Sequence, residues 1–355
     1  MADVLGLDVG GANTKAVFIT VNSGKIQRSK VAVEYFPIWK APEKLPDVLL
    51  ELRNQLCAST LDGVGVTMTA ELSDAYQTKR EGVTHILSCV KRVFPSIPIF
   101  VLNIDTQLQS VEDSFREPLF VASANWAATG WLISQCIKNA VVIDVGSTST
   151  SIIPIINSKV AAGGKTDIDK LVCGELVYTG SLRTNLAAIV QSVPIKRGIA
   201  GVSSEVFALS GDIHLLLGHI SEKDYISETA DGRGKTVNEA LSRIARLMCA
   251  DTEILSKQEI IEIASYIYEK QVAQIVDGLS MVYARVKALS SGKVAVVVTG
   301  LGKDFLARKA AEHIGVDDIE DLGAILGDPA VFATPAFGVA LMTGHKIEGA
   351  ENNNY

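Results

Sequence analysis

Apolar runs of strand length alternate with amphipathic stretches along most of this chain. Residues 4–7 and 15–21 read as two strands joined through a polar turn, and 31–35 as a third. Residues 45–57 have helical spacing, 63–67 are strand-like, 83–93 are amphipathic, and 97–102 return to strand. A helix over 122–137 leads into a second apolar run at 140–143, and the glycine-rich stretch 159–180 reads as hairpins and loops. Thr236 with Glu239, and Ser256 with Glu259, are capping boxes that open two helices. The second of these is long, with Ile260, Ile263, Ile267, Val272, Ile275 and Val276 on one face. Residues 294–298 form a buried strand, and a final strand-and-helix stretch over 331–342 should pack back on the first lobe. The polar tail 351–355 is expected to be mobile. Strands alternating with helices predict an α/β fold.

At 355 residues the chain is long for one core, so two lobes are expected. The predicted division is 1–136 plus 335–350 as lobe I and 137–334 as lobe II. A net charge of -7 argues against an electrostatic nucleic-acid binder. The five cysteines are scattered without a Cys-x-x-Cys pair, which suits reduced thiols in a cytoplasm. No secretory leader pattern opens the chain, and no run of about 18 apolar residues predicts a membrane span.

The junctions between strands carry the chemistry. Asp8-Val9-Gly10-Gly11-Ala12-Asn13-Thr14 follows the first apolar run, and Asp144-Val145-Gly146-Ser147-Thr148-Ser149-Thr150 follows the run at 140–143. Glycines let backbone approach an anion, and turn amides and hydroxyls donate to phosphate oxygens. Thr14 and the turn from Gly10 through Ala12 to Asn13 would bind a terminal phosphate, with Lys15 beside it. Asp8 and Asp144 are placed to hold Mg²⁺ against that phosphate. A third turn, Thr299-Gly300-Leu301-Gly302, sits between a buried strand and a helix and suits an anion or nucleotide.

The segment from Thr67 to Glu81 groups hydroxyls and charges after a strand end. Glu71, Asp74 and Glu81 are candidates there for metal, base or ammonium contacts, with Thr69 and Lys79 as further substrate contacts. Residues 231–236 superficially suggest a P-loop, but its first glycine would fall at Thr229 and no buried strand precedes it. That segment reads as a mobile lid. The histidines show no zinc spacing beyond the loose pair His214 and His219.

The three glycine turns in this order resemble the superfamily of actin, the heat-shock chaperone ATPases and the sugar kinases. The resemblance implies two ribonuclease-H-like lobes around a cleft, with the third turn on adenosine. Thr-Met-Thr-Ala-Glu-Leu at 67–72, Lys-Arg-Glu-Gly-Val at 79–83, Ser-Ala-Asn-Trp-Ala-Ala-Thr-Gly at 123–130 and Gly-Glu-Leu-Val-Tyr-Thr-Gly at 174–180 sharpen it. Together with Tyr-Phe-Pro-Ile-Trp-Lys at 35–40, these strings resemble the hydantoinase-like group of tetrahydromethanopterin-linked C1 transfer pathway proteins. That resemblance implies methanofuran-type cofactor synthesis. An aminomethylfuran-methyl diphosphate would be joined to the phenol oxygen of tyramine or γ-glutamyltyramine, releasing diphosphate. On this reading Asp8 and Asp144 hold the metal, and Glu71 or Asp74 is the base or binds the aminomethyl group. Asn125 and Trp126 line an aromatic pocket, with Trp126 facing a developing cation. Glu175, Tyr178 and Arg183 reach the cleft as substrate contacts. The fold alone would equally suit an ATP-dependent small-molecule kinase or a nucleotide-gated regulatory protein, and its exposed sheet edges would suit a homodimer.

Overall fold

The computed structural model describes residues 1–57, 60–327 and 331–349; the tail expected to be mobile lies outside these. Twelve of the fourteen strands among the described residues of this α/β protein form two sheets of matching design, among them β1 (Ala2–Val9), β2 (Asn13–Asn22), β3 (Lys25–Tyr35), β4 (Gly63–Met68), β5 (Ile99–Leu102) and β6 (Leu108–Ser110) of the first. Its order is β3-β2-β1-β4-β5-β6. The second sheet uses β7 (Ala140–Val145), β8 (Thr150–Ile156), β9 (Lys159–Val160) and β10 (Leu176–Val177), while β11 (Ser192–Ile195) and β12 (Gly198–Gly201) pair apart as a hairpin. With β13 (Ala295–Thr299) and β14 (Ile319–Asp321) added, the second order is β10-β8-β7-β13-β14, with β9 beside β8. In both sheets three antiparallel strands continue into two parallel ones, so β1 corresponds to β7 and β4 to β13. These are two ribonuclease-H-like lobes around a cleft.

The outer face of the first sheet is covered by α1 (Leu45–Leu56) and α2 (Lys79–Val93), with α3 (Val111–Arg116) at its edge. Between the two sheets lie α4 (Asn125–Ser134) and, in the second lobe, α5 (Asp167–Val172) near the cleft. A helical cap is built from α6 (Leu186–Ile189), α7 (Ser210–Leu216), α8 (Val237–Leu247) and the first half of α9 (Lys257–Leu289). The second half of α9 and α10 (Arg308–His313) cover the second sheet, and α11 (Leu322–Leu326) follows β14. The last helix, α12 (Thr334–Glu348), lies across β1, β2 and β4 and against α4. This approach needs bare backbone: a Cβ on Gly338 would meet the Ala128 carbonyl oxygen at 2.5 Å.

Three expectations change. Residues 159–180 contain the helix α5, started by a Thr166–Asp169 capping box, as well as hairpin strands. Residues 331–342 hold no strand among the described residues; their Ala- and Gly-rich sequence is helix, buried on all sides from Thr334 to Gly344. The supposed lid is tied down. Asp231 binds Arg243 at 3.2 Å and Arg246 at 2.9 Å, and Arg243 in turn binds the buried Asp212 at 2.8 Å. No described helix is long and apolar enough to cross a membrane.

Candidate active site

The two Asp-Val-Gly turns are built alike. The Gly10 amide donates to the Asn13 carbonyl at 3.1 Å, and the Gly146 amide to the Ser149 carbonyl at 3.0 Å. Each strand end is then bound by the turn that follows the neighbouring parallel strand. The Thr69 amide donates to Val9 at 3.0 Å, and the Gly302 amide to Val145 at 3.0 Å. The third glycine turn is thus the second-lobe counterpart of the segment entering Glu71. Its glycines have a packing reason: at Gly300, with φ 85°, a Cβ would meet the Val145 carbonyl at 2.5 Å and Asp144 Oδ1 at 2.7 Å. At Gly302 a Cβ would meet Val145 Cγ1 at 2.5 Å. Gly300, Leu301 and Gly302 do not line the central cavity, and Leu301 packs against the helical cap.

That cavity has a volume of about 550 Å³ and lies between the lobes. Gly11, Thr69 and Asp74 line it from the first lobe, and Thr148, Lys170 and Arg183 from the second. Ser123, Asn125 and Trp126, at the start of α4, line it between them. Asp74 is exposed there and makes no hydrogen bond or ion pair among the described residues. The second turn is braced from behind, since Ser147 and Gly146 carbonyls accept from the amides of Ser181, Leu182 and Arg183. Arg183 also donates to Thr148 Oγ1 at 3.2 Å and stacks over Trp39 at 4.6 Å.

Behind the first turn sits a set of orphaned oxygens. Asp8 Oδ1, Asn13 Oδ1, Thr14 Oγ1 and Thr67 Oγ1 are buried with no hydrogen-bond partner. The strand register groups three of them, because Asp8 lies opposite Thr67 on one side and Lys15 on the other, and Asn13 shares their face, whereas Thr14 lies opposite Val9 and points to the other face. Burial pushes the Asp8 carboxyl up to about 6, against the pull of Lys15, and Asp144 nearby raises it further. Asp144 is raised as well, by burial first, with Lys15 and the Thr129 hydroxyl opposing. Lys15 therefore acts electrostatically on both aspartates. Oxygen-only donors in an unsatisfied, acidic setting fit a hard cation such as Mg²⁺, which takes few protein ligands and keeps water and phosphate. Among the described residues no cluster of three or more His, Cys, Asp or Glu side chains is placed to hold a metal ion.

On the other wall Glu71 is fully buried and does not line the cavity. Its Oε1 accepts from Ser123 Oγ at 2.6 Å, lies 3.9 Å from Lys79 Nζ, and its Oε2 has no partner. Lys79 crosses to the second lobe, binding Asp167 Oδ2 at 2.5 Å and Ser123 Oγ at 3.0 Å. Burial pushes the Glu71 carboxyl up to about 7, opposed by Ser123 and Lys79. Its ordinary value in an unfolded chain is 4.5, so the native state holds the extra proton between these values. Stability from this group is full below pH 4.5 and is lost as pH rises through about 7. Glu71→Gln should flatten that decline by on the order of 3 kcal/mol, read as the difference in denaturant midpoints at pH 5 and pH 8. An unchanged pH slope would show that Glu71 is ionised throughout.

Two predicted contacts lie elsewhere, and the ring of a third is partly occupied. Glu81 is exposed and bonds the Gln77 amide at 2.9 Å at the start of α2, a helix-capping role. Glu175 is buried and holds the Gly163 amide at 2.7 Å, the Gly164 amide at 3.2 Å, Lys170 at 3.2 Å and Arg285. Trp126 does line the cavity, but its ring face is taken by the Lys170 ammonium, 3.4 Å from the centroid. A substrate cation cannot use that face. Ser123, Asp167, Lys170 and Trp39 were not singled out by the sequence; the Thr-x-x-Asp capping box at 166–169 was the available sign of α5.

Comparison with known proteins gives the family. The hydantoinase/oxoprolinase family matches residues 62–346. The chain belongs to that family. This hydantoinase/oxoprolinase-family protein is 34% identical over 346 residues to a Methanocaldococcus jannaschii protein named (4-{4-[2-(gamma-L-glutamylamino)ethyl]phenoxymethyl}furan-2-yl)methanamine synthase, covering 97% of this chain and 98% of that one. A Methanococcus vannielii protein of the same name is 35% identical over 225 residues, covering 62% of this chain and 99% of the relative. Among solved structures, nucleotide-free acetone carboxylase superposes with a TM-score of 0.56 at 10% identity, covering 96% of this chain and 70% of that one. That likeness is one of fold.

Proposed function

We propose that this family member is a synthase forming an aryl ether between a furan and a phenol. The donor is an aminomethylfuran-methyl diphosphate, and the acceptor is the phenol oxygen of γ-glutamyltyramine or tyramine. The observation that carries the reading is the 34% identity, across nearly the whole chain, to a synthase whose name describes that ether. The carbon–oxygen bond to diphosphate breaks, the phenol oxygen bonds the same carbon, and the phenolic proton and diphosphate leave.

The cavity walls suit this division of labour. Electron donation from the furan oxygen makes the methylene carbon able to bear positive charge, so the difficult task is to stabilise the departing diphosphate. Gly11 of the first turn and Thr148 of the second line the cavity where it would sit, with Lys170 as a buried cation. Asp8 and Asp144, with the orphaned oxygens of Asn13 and Thr67, would hold Mg²⁺. When bound, the metal supplies charge against the diphosphate oxygens. Asp74 sits on the cavity wall with no cation of its own and suits the donor's aminomethyl ammonium.

The test is diphosphate release by purified protein with Mg²⁺ and the furan diphosphate, with and without γ-glutamyltyramine, and without ATP. Acceptor-dependent release with a new ether product is expected. Silence there, with ATP consumed in a parallel reaction, would replace this reading by a kinase. A second measurement isolates the first turn. A Cβ at Gly11 meets no protein atom within 4 Å, although Gly11 lines the cavity. Gly11→Ala should leave the melting temperature within about 2 °C yet weaken binding of inorganic diphosphate with Mg²⁺ by roughly tenfold or more. Unchanged affinity by calorimetry would move the diphosphate away from this turn.

A further inference from the structure

The reaction needs a group that takes the phenolic proton, and the cavity wall points to one that was not anticipated. Ser123 lines the cavity, yet its backbone is held at φ 52°, a left-handed conformation that costs a non-glycine residue about 1 kcal/mol or more. Glycine would relieve that cost, so the hydroxyl has to be worth keeping. Its surroundings show for what. Ser123 Oγ stands 2.6 Å from Glu71 Oε1, 2.9 Å from Asp167 Oδ2 and 3.0 Å from Lys79 Nζ. Lys79 can only donate, so it occupies one lone pair of Ser123 Oγ and also binds Asp167. The single hydroxyl proton is left for one carboxylate, and the shorter approach is to Glu71. One lone pair of Ser123 Oγ remains for a ligand.

We propose that Ser123 relays the phenolic proton to Glu71, with Lys79 and Asp167 fixing the direction of transfer. This rests on the synthase reading above. As the phenol oxygen bonds the furan methylene carbon and the bond to diphosphate breaks, the phenolic proton passes to Ser123 Oγ. The hydroxyl proton of Ser123 passes at the same time to Glu71 Oε1. Lys79 stays protonated, the bonding electrons leave with diphosphate, and Glu71 later returns its proton to water. Glu71 is well placed as the terminal acceptor because it is buried under Ser123, with Lys79, Asp167 and Tyr76 as the charged or titratable groups that act on it among the described residues. A carboxyl raised toward neutrality is a better base than an ordinary glutamate, and it must be ionised to accept.

Ser123→Gly tests the relay in a backbone conformation glycine prefers. Acceptor-dependent diphosphate release should fall about 100-fold or more, with acceptor KM within about threefold of the parent. The parent's kcat should rise with pH toward a plateau above about 7, and both Ser123→Gly and Glu71→Gln should lose that limb. A ring-fluorinated acceptor whose phenol is already ionised needs no base, so parent and Ser123→Gly should converge with it. Equal losses with both acceptors and an unchanged pH limb would overturn the relay while leaving the synthase standing. If the parent releases no diphosphate with either acceptor, the synthase reading fails and the relay with it.

Discussion

Asp8→Asn is expected to lower acceptor-dependent diphosphate release by on the order of 1000-fold, the largest loss for a single near-isosteric change in this chain. The side chain is nearly inaccessible, its Oδ1 has no partner, and the orphaned oxygens of Asn13 and Thr67 are buried on the same face of the sheet. An amide keeps the shape but removes the charge that a hard cation requires. Folding should not suffer, because a buried, incompletely paired carboxylate is itself unfavourable and the amide carries no charge. The melting temperature should match or exceed the parent's, the usual sign that a group is kept for activity rather than stability. The check is single-turnover diphosphate release across a Mg²⁺ titration, beside a thermal melt. Turnover within tenfold of the parent, with the same Mg²⁺ dependence, would show that the first turn is not the metal's seat.

The Asp8 turn was legible in the sequence because it is local: one apolar strand, one aspartate and a glycine turn, repeated at Asp144, although its Thr67 neighbour comes from another strand. The cleft wall opposite was not. Lys79 meets Asp167 across 88 positions of sequence and Ser123 meets Glu71 across 52, so no spacing rule within one element could pair them. Glu71 stood out as a carboxylate after a strand end, but only packing puts it beneath the cavity surface rather than on it. Gly300 and Gly302 carry a second reason for glycine that the sequence does not show. A glycine turn after a strand suggests a ligand, whereas here the second-lobe turn needs bare backbone against it. Trp126 lines the cavity as expected of it, but the Lys170 ammonium on its ring was out of sight, because Lys170 lay in a stretch read as loop. The fold was easier, since sheet order follows from apolar runs and their connections while side-chain partners do not.

Lys170→Met is the second large effect, expected at about 100-fold in turnover, because Lys170 is the cavity-lining cation most deeply withdrawn from water. Its relative exposure is 3%, its ammonium covers the Trp126 ring, and burial lowers its pKa despite Glu175. Removing a buried charge commonly strands its partner. Here Glu175 would keep Arg285 and the amides of Gly163 and Gly164, so the fold should tolerate the change. Methionine also retains an unbranched stem over the indole. What disappears is the positive charge facing the departing diphosphate, so kcat should fall and inorganic diphosphate should bind at least about tenfold more weakly. The acceptor's KM should stay within about threefold, since the phenol needs no cation. The sign of the pH effect follows from the lowered pKa: the ammonium is present at low pH and is lost before an ordinary lysine would titrate. Parent kcat should therefore decline on an alkaline limb below 10.5, and Lys170→Met should lack it. A variant that keeps diphosphate affinity, turnover and the alkaline limb would place the leaving group against the two glycine turns alone, leaving Lys170 to brace Trp126.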